Sequence, residues 1–159
     1  MKEPTMTSRQ MFSDEEWTCL VQVPFEVAYG VAKVGDSGIF GSFKELLAGV
    51  KLLMKGATSY PDNELLRSIV ADGEADAEKP ANADGNENEN DEFDADGLVE
   101  HCRRVNLLLQ RATEQEAIEI RQWILDIAQE MSNAAKEDGV RVSPPETALI
   151  SRLREALTQ

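Results

Sequence analysis

Apolar residues recur along this chain at helical spacing, and no segment alternates with the period of two that marks a β-strand. The clearest stripe lies in residues 114–137 and consists of Ala117, Ile120, Ile124, Ile127, Ala128, Met131, Ala134 and Ala135. Shorter stripes occupy 43–54, 65–70, 98–109 and 149–157. The pattern predicts an all-α fold.

Capping signals place the starts of four of these helices. In the S/T-x-x-E capping box, the hydroxyl and the carboxylate each accept from the other residue's backbone N–H. The box occurs at 13–16, 42–45, 113–116 and 143–146, each time before an apolar stripe. Pro24 has no N–H to donate, so it predicts a break or kink in the first helix, with a second piece from residue 24. We therefore expect a bundle of six to seven helices.

The helical pattern is interrupted at residues 72–97, a segment rich in Asp, Glu, Asn, Gly and Ala. It holds eleven acids and one base, so it carries −10 of the chain's net charge of −14. A segment of this composition cannot bury enough apolar surface to offset its ordering entropy. We expect it to be a flexible acidic loop inside a single helical domain of residues 1–159. The polar residues 1–12 are expected to form a flexible N-terminus.

The charge balance excludes some classes of partner. With 30 Asp and Glu against 16 Lys and Arg, the chain lacks the basic surface that nucleic acids and anionic membranes attract. The longest uncharged stretch near the N-terminus, residues 17–25, is too short to span a bilayer. No signal-peptide pattern is present, and Cys19 and Cys102 form no disulfide framework. We expect a cytoplasmic protein.

Two stretches of the chain are similar to each other. Residues 31–38 read VAKVGDSG and precede the capping box at 42–45, whereas 134–139 read AAKEDG and precede the box at 143–146. Each stretch follows a helix that bears a tryptophan. The shared plan of helix, Asp-Gly turn and capped helix predicts two pseudo-symmetric helical halves.

This repeated unit resembles that of the TerB-like tellurite-resistance family, over residues 13–56 and 114–157. The resemblance implies an all-helical bundle of two similar halves, a role in a stress or metal-resistance system, and binding of a divalent cation such as Ca²⁺ or Mg²⁺. The acids that it carries over as metal ligands are Asp36, Glu45, Asp138 and Glu146. Turn and cap chemistry explains the same four acids without any ligand, so both interpretations stay open.

The sequence offers little for catalysis. It contains no G-x-S-x-G, Walker A, H-E-x-x-H or C-x-x-C motif. His101 is the only histidine, and neighbouring helix positions point about 100° apart, so His101 and Cys102 are not a preformed base and nucleophile. We expect a non-enzymatic protein that acts through contacts with a protein partner. The alternative is a metal-free scaffold or adaptor that binds a basic partner through its acidic loop.

Overall fold

The computed structural model describes residues 9–35, 58–78, 94–137 and 144–158. These ranges contain the helices α1 (Asp14–Gly35), α2 (Glu64–Glu78), α3 (Ala95–Leu108), α4 (Glu114–Glu137) and α5 (Pro144–Thr158). No strand occurs in them, which confirms the all-α class. Six to seven helices are more than the five found in the described part, and the helix predicted to follow Ser42 lies outside it.

The central helix is α1, which packs against each of the other four and most extensively against α4. Its buried face is formed by Leu20, Val23, Val27, Ala28 and Val31. Further contacts join α3 to α5, α4 to α5 and α2 to α4. The stripe predicted for α4 faces this core from Ala117 to Met131, and Trp17 and Trp123 are also buried.

Pro24 does not end α1, because the helix runs unbroken from Asp14 to Gly35. The prediction of a separate piece that begins at residue 24 was therefore wrong. An interior proline costs a helix about 3 kcal/mol. Val23 and Val27, on either side of it, are both buried, and full burial of such a side chain contributes about 1.5–3 kcal/mol. A single continuous helix keeps both residues in the core.

Glu16 ties the start of α1 to the 3-10 helix Leu109–Arg111, which precedes α4. The backbone N–H of Ser13 donates to Glu16 Oε1 at 2.8 Å, and that of Glu16 donates to Ser13 Oγ at 3.1 Å, which confirms this capping box. Both carboxylate oxygens of Glu16 also accept from Arg111, at 2.9 and 2.8 Å. The Arg111 hydrogen bonds, followed by that from the Ser13 backbone, lower the pKa of Glu16 to about 2.

A second capping box ties α4 to α2. Thr113 and Glu116 exchange the predicted backbone hydrogen bonds, at 3.3 and 3.2 Å. Glu116 is buried, and its Oε2 also accepts from the backbone N–H of Leu65 at 3.4 Å. The Asn63 amide donates to the backbone oxygen of Glu116 at 3.2 Å. The first turns of α2 and α4 are thereby held together.

Pro61, shortly before the stripe at 65–70, predicts a helix that starts at residue 61. The helix begins instead at Glu64, because Asn63 Oδ1 accepts from the backbone N–H of Leu66 at 2.9 Å. Asparagine is among the best N-cap residues, since its side-chain oxygen satisfies an N–H that the helix cannot. The predicted inward residues Leu65, Leu66 and Ile69 are buried.

Parts of the two segments predicted to be flexible belong to helices or pack against the bundle. Of the eleven acids in 72–97, six lie in the described part: Asp72, Glu74, Asp76, Glu78, Asp94 and Asp96. Asp94 caps α3 by accepting from the backbone N–H of Gly97 at 2.9 Å. Asp96 pairs with Arg152 of α5. At the N-terminus, Arg9–Met11 forms a 3-10 helix and Phe12 is buried. Residues 1–8 and 79–93 lie outside the described part.

Asp72 falls in the predicted acidic loop, but it lies on α2 and accepts from Trp17 Nε1 at 2.7 Å. We expect Asp72→Ala to lower the free energy of unfolding by about 1–2 kcal/mol, because the buried indole N–H would lose its acceptor. Glu74→Ala, an exposed site two residues further along α2, is the matched control and should change it by less than about 0.5 kcal/mol. Urea unfolding measures both. Equal effects would mean that the hydrogen bond contributes no stability.

Candidate functional site

Of the four acids predicted as metal ligands, the structure describes Glu146 alone; Asp36, Glu45 and Asp138 lie outside the described residues. Glu146 is buried in the first turn of α5, and its Oε2 accepts from Ser132 Oγ of α4 at 3.2 Å. Within the described ranges, no group of three or more His, Cys, Asp or Glu residues could hold a metal ion. The four-acid cation site stays a prediction.

A different group of chemically active side chains lies where α1 meets α3. It consists of Cys19 and Glu26 on α1 and of His101 and Cys102 on α3, and we call it the α1–α3 cluster. His101 Nδ1 pairs with the carboxylate of Glu26, and His101 Nε2 lies 2.9 Å from the backbone oxygen of Cys19. Both partners present acceptor oxygens, so both ring nitrogens carry hydrogen and His101 is an imidazolium.

The protonation of this cluster follows from its surroundings. Burial lowers the pKa of His101, but hydrogen bonds to Cys19 and Glu26 outweigh it and raise the pKa to about 10. Burial, followed by the charge of Glu26, raises the pKa of the Cys102 thiol to about 12. At neutral pH, the cluster therefore holds a charged histidine beside an un-ionised Cys102.

His101 also braces α1 where Pro24 weakens it. Pro24 cannot donate to the carbonyl four residues before it, so α1 lacks a hydrogen bond in this turn. The two partners of His101 are the carbonyl of residue 19 and the side chain of residue 26, on opposite sides of that turn. His101 is 82 positions away from Cys19 in the sequence, so the effect of Pro24 on the helix could not be predicted from the proline alone.

The exposed side of α4 carries a line of carboxylates. Asp126 lies seven positions and Glu130 eleven positions after Glu119, so the three side chains share one helical face. We call these three residues the α4 acidic strip. Tyr60 lies beside this strip and is half-buried; burial, then the charges of Asp126 and Glu119, raises its pKa. Among the described residues, no Lys or Arg forms an ion pair with the strip.

Glutamine and asparagine side chains hold the strip in place. Glu119 accepts from the amides of Gln115 and Asn63, both at 3.2 Å. Asp126 accepts from Gln122 at 2.9 Å. In the sequence, Asp126 and Glu130 form an i, i+4 pair of like charges, for which a solvated helix face is the simplest interpretation. The position of Tyr60 beside them could not be read from the pattern.

The His101 pair predicts a pH dependence of stability. Because the pKa of about 10 lies above the ordinary 6.5, the pair contributes fully below pH 6.5 and its contribution is lost as pH rises towards 10. We expect the wild type to lose about 1–3 kcal/mol more free energy of unfolding than His101→Gln between pH 6.5 and 10. Urea unfolding across this range measures the difference. Parallel curves for the two proteins would contradict the assignment.

A double-mutant cycle tests whether His101 braces the turn at Pro24. Pro24→Ala restores a backbone N–H at residue 24, so the turn should depend less on His101. We expect His101→Gln to cost at least about 0.5 kcal/mol less in the Pro24→Ala background than in the wild type, which is a coupling typical of contacting sites. Thermal and urea unfolding of the four proteins measure it. Additive effects would show that the two residues act independently.

None of the helices in the described ranges combines the length with the apolar character that a membrane crossing requires. Comparisons of the chain with protein-family models, with curated proteins and with solved structures find no match. The TerB-like resemblance therefore depends on the motifs of the sequence.

Proposed function

We propose that this chain is a non-enzymatic helical adaptor that binds a basic segment of a protein partner on the α4 acidic strip and Tyr60. The observation that carries the proposal is the placement of carboxylates without a described ion-pair partner beside a half-buried aromatic ring. A Lys or Arg side chain can contact both groups, because its positive charge pairs with the carboxylates and stacks on the face of the Tyr60 ring.

The strip is preorganised for such a ligand. Glu119 is half-buried and accepts two amide hydrogen bonds, and Asp126 accepts one, so both carboxylates are oriented before a partner arrives. Orientation in advance reduces the entropy lost on binding. With a rise of 1.5 Å per residue, Asp126 lies about 10 Å along α4 from Glu119 and about 6 Å from Glu130. A partner segment with basic residues at matching intervals would fit.

The charge of the whole chain favours the same class of partner. A net charge of −14 attracts basic proteins over a distance and accelerates their encounter at low salt. The acidic segment 72–97 contributes to this field. Asp72, Asp94 and Asp96 already bond to other groups of the chain, so the other acids of this segment are proposed as a second docking element.

Membership of the TerB-like family, with a role in stress or metal resistance and a cation on Asp36, Glu45, Asp138 and Glu146, is a further proposal. The repeated motif in the sequence supports it. It is compatible with the adaptor function, since a protein of that kind would also act through protein contacts.

Binding of a synthetic arginine-rich peptide, followed by fluorescence anisotropy at 50 and 150 mM NaCl, tests the adaptor proposal. We expect the double change Asp126→Asn with Glu130→Gln to weaken binding about tenfold, since two charge-assisted contacts would be lost. Tyr60→Leu should weaken it about threefold by removing the ring face while it keeps an apolar side chain.

The matched control is Glu15→Gln with Glu155→Gln, which changes the net charge equally at exposed sites on α1 and α5. We expect this control to weaken binding less than about twofold at 150 mM NaCl, where distant charges are screened. Equal weakening by the two double variants would mean that the peptide responds only to net charge. If deletion of residues 79–93 abolishes binding and the strip variants do not, the docking element is that segment.

A further inference from the structure

An exposed leucine on α3 lies among arginines. Residues 103–111 contain three arginines and no acid. Arg103, Arg104, Leu107 and Arg111 are all exposed, and each arginine lies three or four positions from Leu107, so the four residues share one face. We call them the α3 basic face. Leu107 is 62% exposed, more than any other large hydrophobic residue in the described part of the chain.

The cations of this face differ in how free they are to contact a partner. Arg104 forms no ion pair with any residue in the described ranges. Arg103 pairs with Glu100 one turn earlier, but both side chains are more than half exposed, and such pairs contribute little. Arg111 is held by Glu16, so it supplies charge and no new hydrogen bonds. Arg104 and Leu107 are therefore the principal contacts that the face offers.

The spacing of this face matches that of the α4 acidic strip. Arg111 follows Arg104 by seven positions, as Asp126 follows Glu119, and seven helical positions span about 10–12 Å. Leu107 lies between the two arginines. Tyr60 lies close enough to both acids for their charges to raise its pKa. One surface therefore presents cation, leucine and cation, and the other presents acid, aromatic ring and acid.

The two surfaces lie on different sides of α4. Arg121 of α4 donates to Asn106 of α3 at 2.8 Å, whereas Glu119 accepts from Asn63 beside α2 at 3.2 Å. Positions 119 and 121 of a helix point about 200° apart. Because α4 itself separates the strip from α3, the basic face meets a strip only on another molecule. Such a contact is heterologous, since each copy contributes a different surface.

We infer that the basic partner of the α4 acidic strip is a second copy of this chain, which docks its α3 basic face on the strip and Tyr60. The inference rests on the proposed function of the strip. Arg104 pairs with the carboxylates, and Leu107 packs on the tyrosine ring. The net charge of −14 repels copies at long range, but charges more than about 8 Å apart are largely screened at 150 mM salt. The local contacts then determine the association.

Sedimentation equilibrium of charge-reversed variants at 150 mM NaCl tests the inference. The strip variant is Asp126→Lys with Glu130→Lys, and the face variant is Arg104→Glu with Leu107→Ser. All four sites are exposed, so the fold should persist, which circular dichroism and urea unfolding check. We expect the average mass of the wild type to rise with concentration from the 17.6 kDa of one copy. Each variant alone should lose this rise.

An equimolar mixture of the two variants identifies a heterologous contact. The strip variant keeps a working basic face and the face variant keeps a working strip, so the mixture should associate again and stop at twice the mass of one copy. The matched controls are Glu15→Lys with Glu155→Lys for the strip variant and Arg154→Glu for the face variant. They change the net charge equally through exposed sites elsewhere and should associate as the wild type does.

A wild type that keeps the mass of one copy at every concentration would overturn the inference. A mixture that fails to associate, or controls that lose association as the variants do, would overturn it as well. Failure of the proposed function gives a different result, because the arginine-rich peptide would then not bind the wild type. If that peptide binds on the strip while copies of the chain do not associate, only the inference of a second copy is wrong.

Discussion

The hydrogen bonds of His101 across the turn at Pro24 are the interaction on which the bundle most depends. Within the described ranges, α1 packs against all four other helices, so a bend in it would displace each of those four interfaces. Yet α1 is also the helix with a proline in its interior. By engaging residue 19 and residue 26 together, His101 holds the two sides of the weak turn in register. The ion pair joins the central helix to α3, with the His101 ring largely enclosed and the Glu26 side chain partly exposed.

The N-termini of three helices are bonded to neighbouring elements of the bundle. Glu16, Glu116 and Glu146 all occupy the fourth position of a capping-box sequence, and each also bonds to another element. The partners are an arginine guanidinium, a backbone N–H and a serine hydroxyl. A carboxylate has enough lone pairs to serve its own helix and a neighbour at once. Local capping chemistry thus sets the relative positions of helices.

Much of this arrangement could be predicted from local sequence. Period 3.6 gave the inward residues of α4, and the boxes at 13–16 and 113–116 gave the starts of α1 and α4, because these signals are short-range. The path through Pro24, the role of Asp72 and the place of Tyr60 could not be predicted. Each depends on a residue more than fifty positions away, such as Trp17 for Asp72. The same holds for the α1–α3 cluster, where the charge of His101 depends on its contacts with Cys19 and Glu26 on α1.

The joint between Glu16 and Arg111 has a consequence for how the chain is made. Synthesis runs from the N-terminus, so α1 leaves the ribosome long before residue 111 of 159 exists to clamp its first turn. The acceptor for Trp17 arrives at residue 72, and the brace for Pro24 arrives at residue 101. The central helix is therefore synthesised before the four helices that pack on it, and it is among the last to be secured. Until the second half of the chain has been synthesised, part of the apolar face of α1 stays exposed to water and accessible to chaperones.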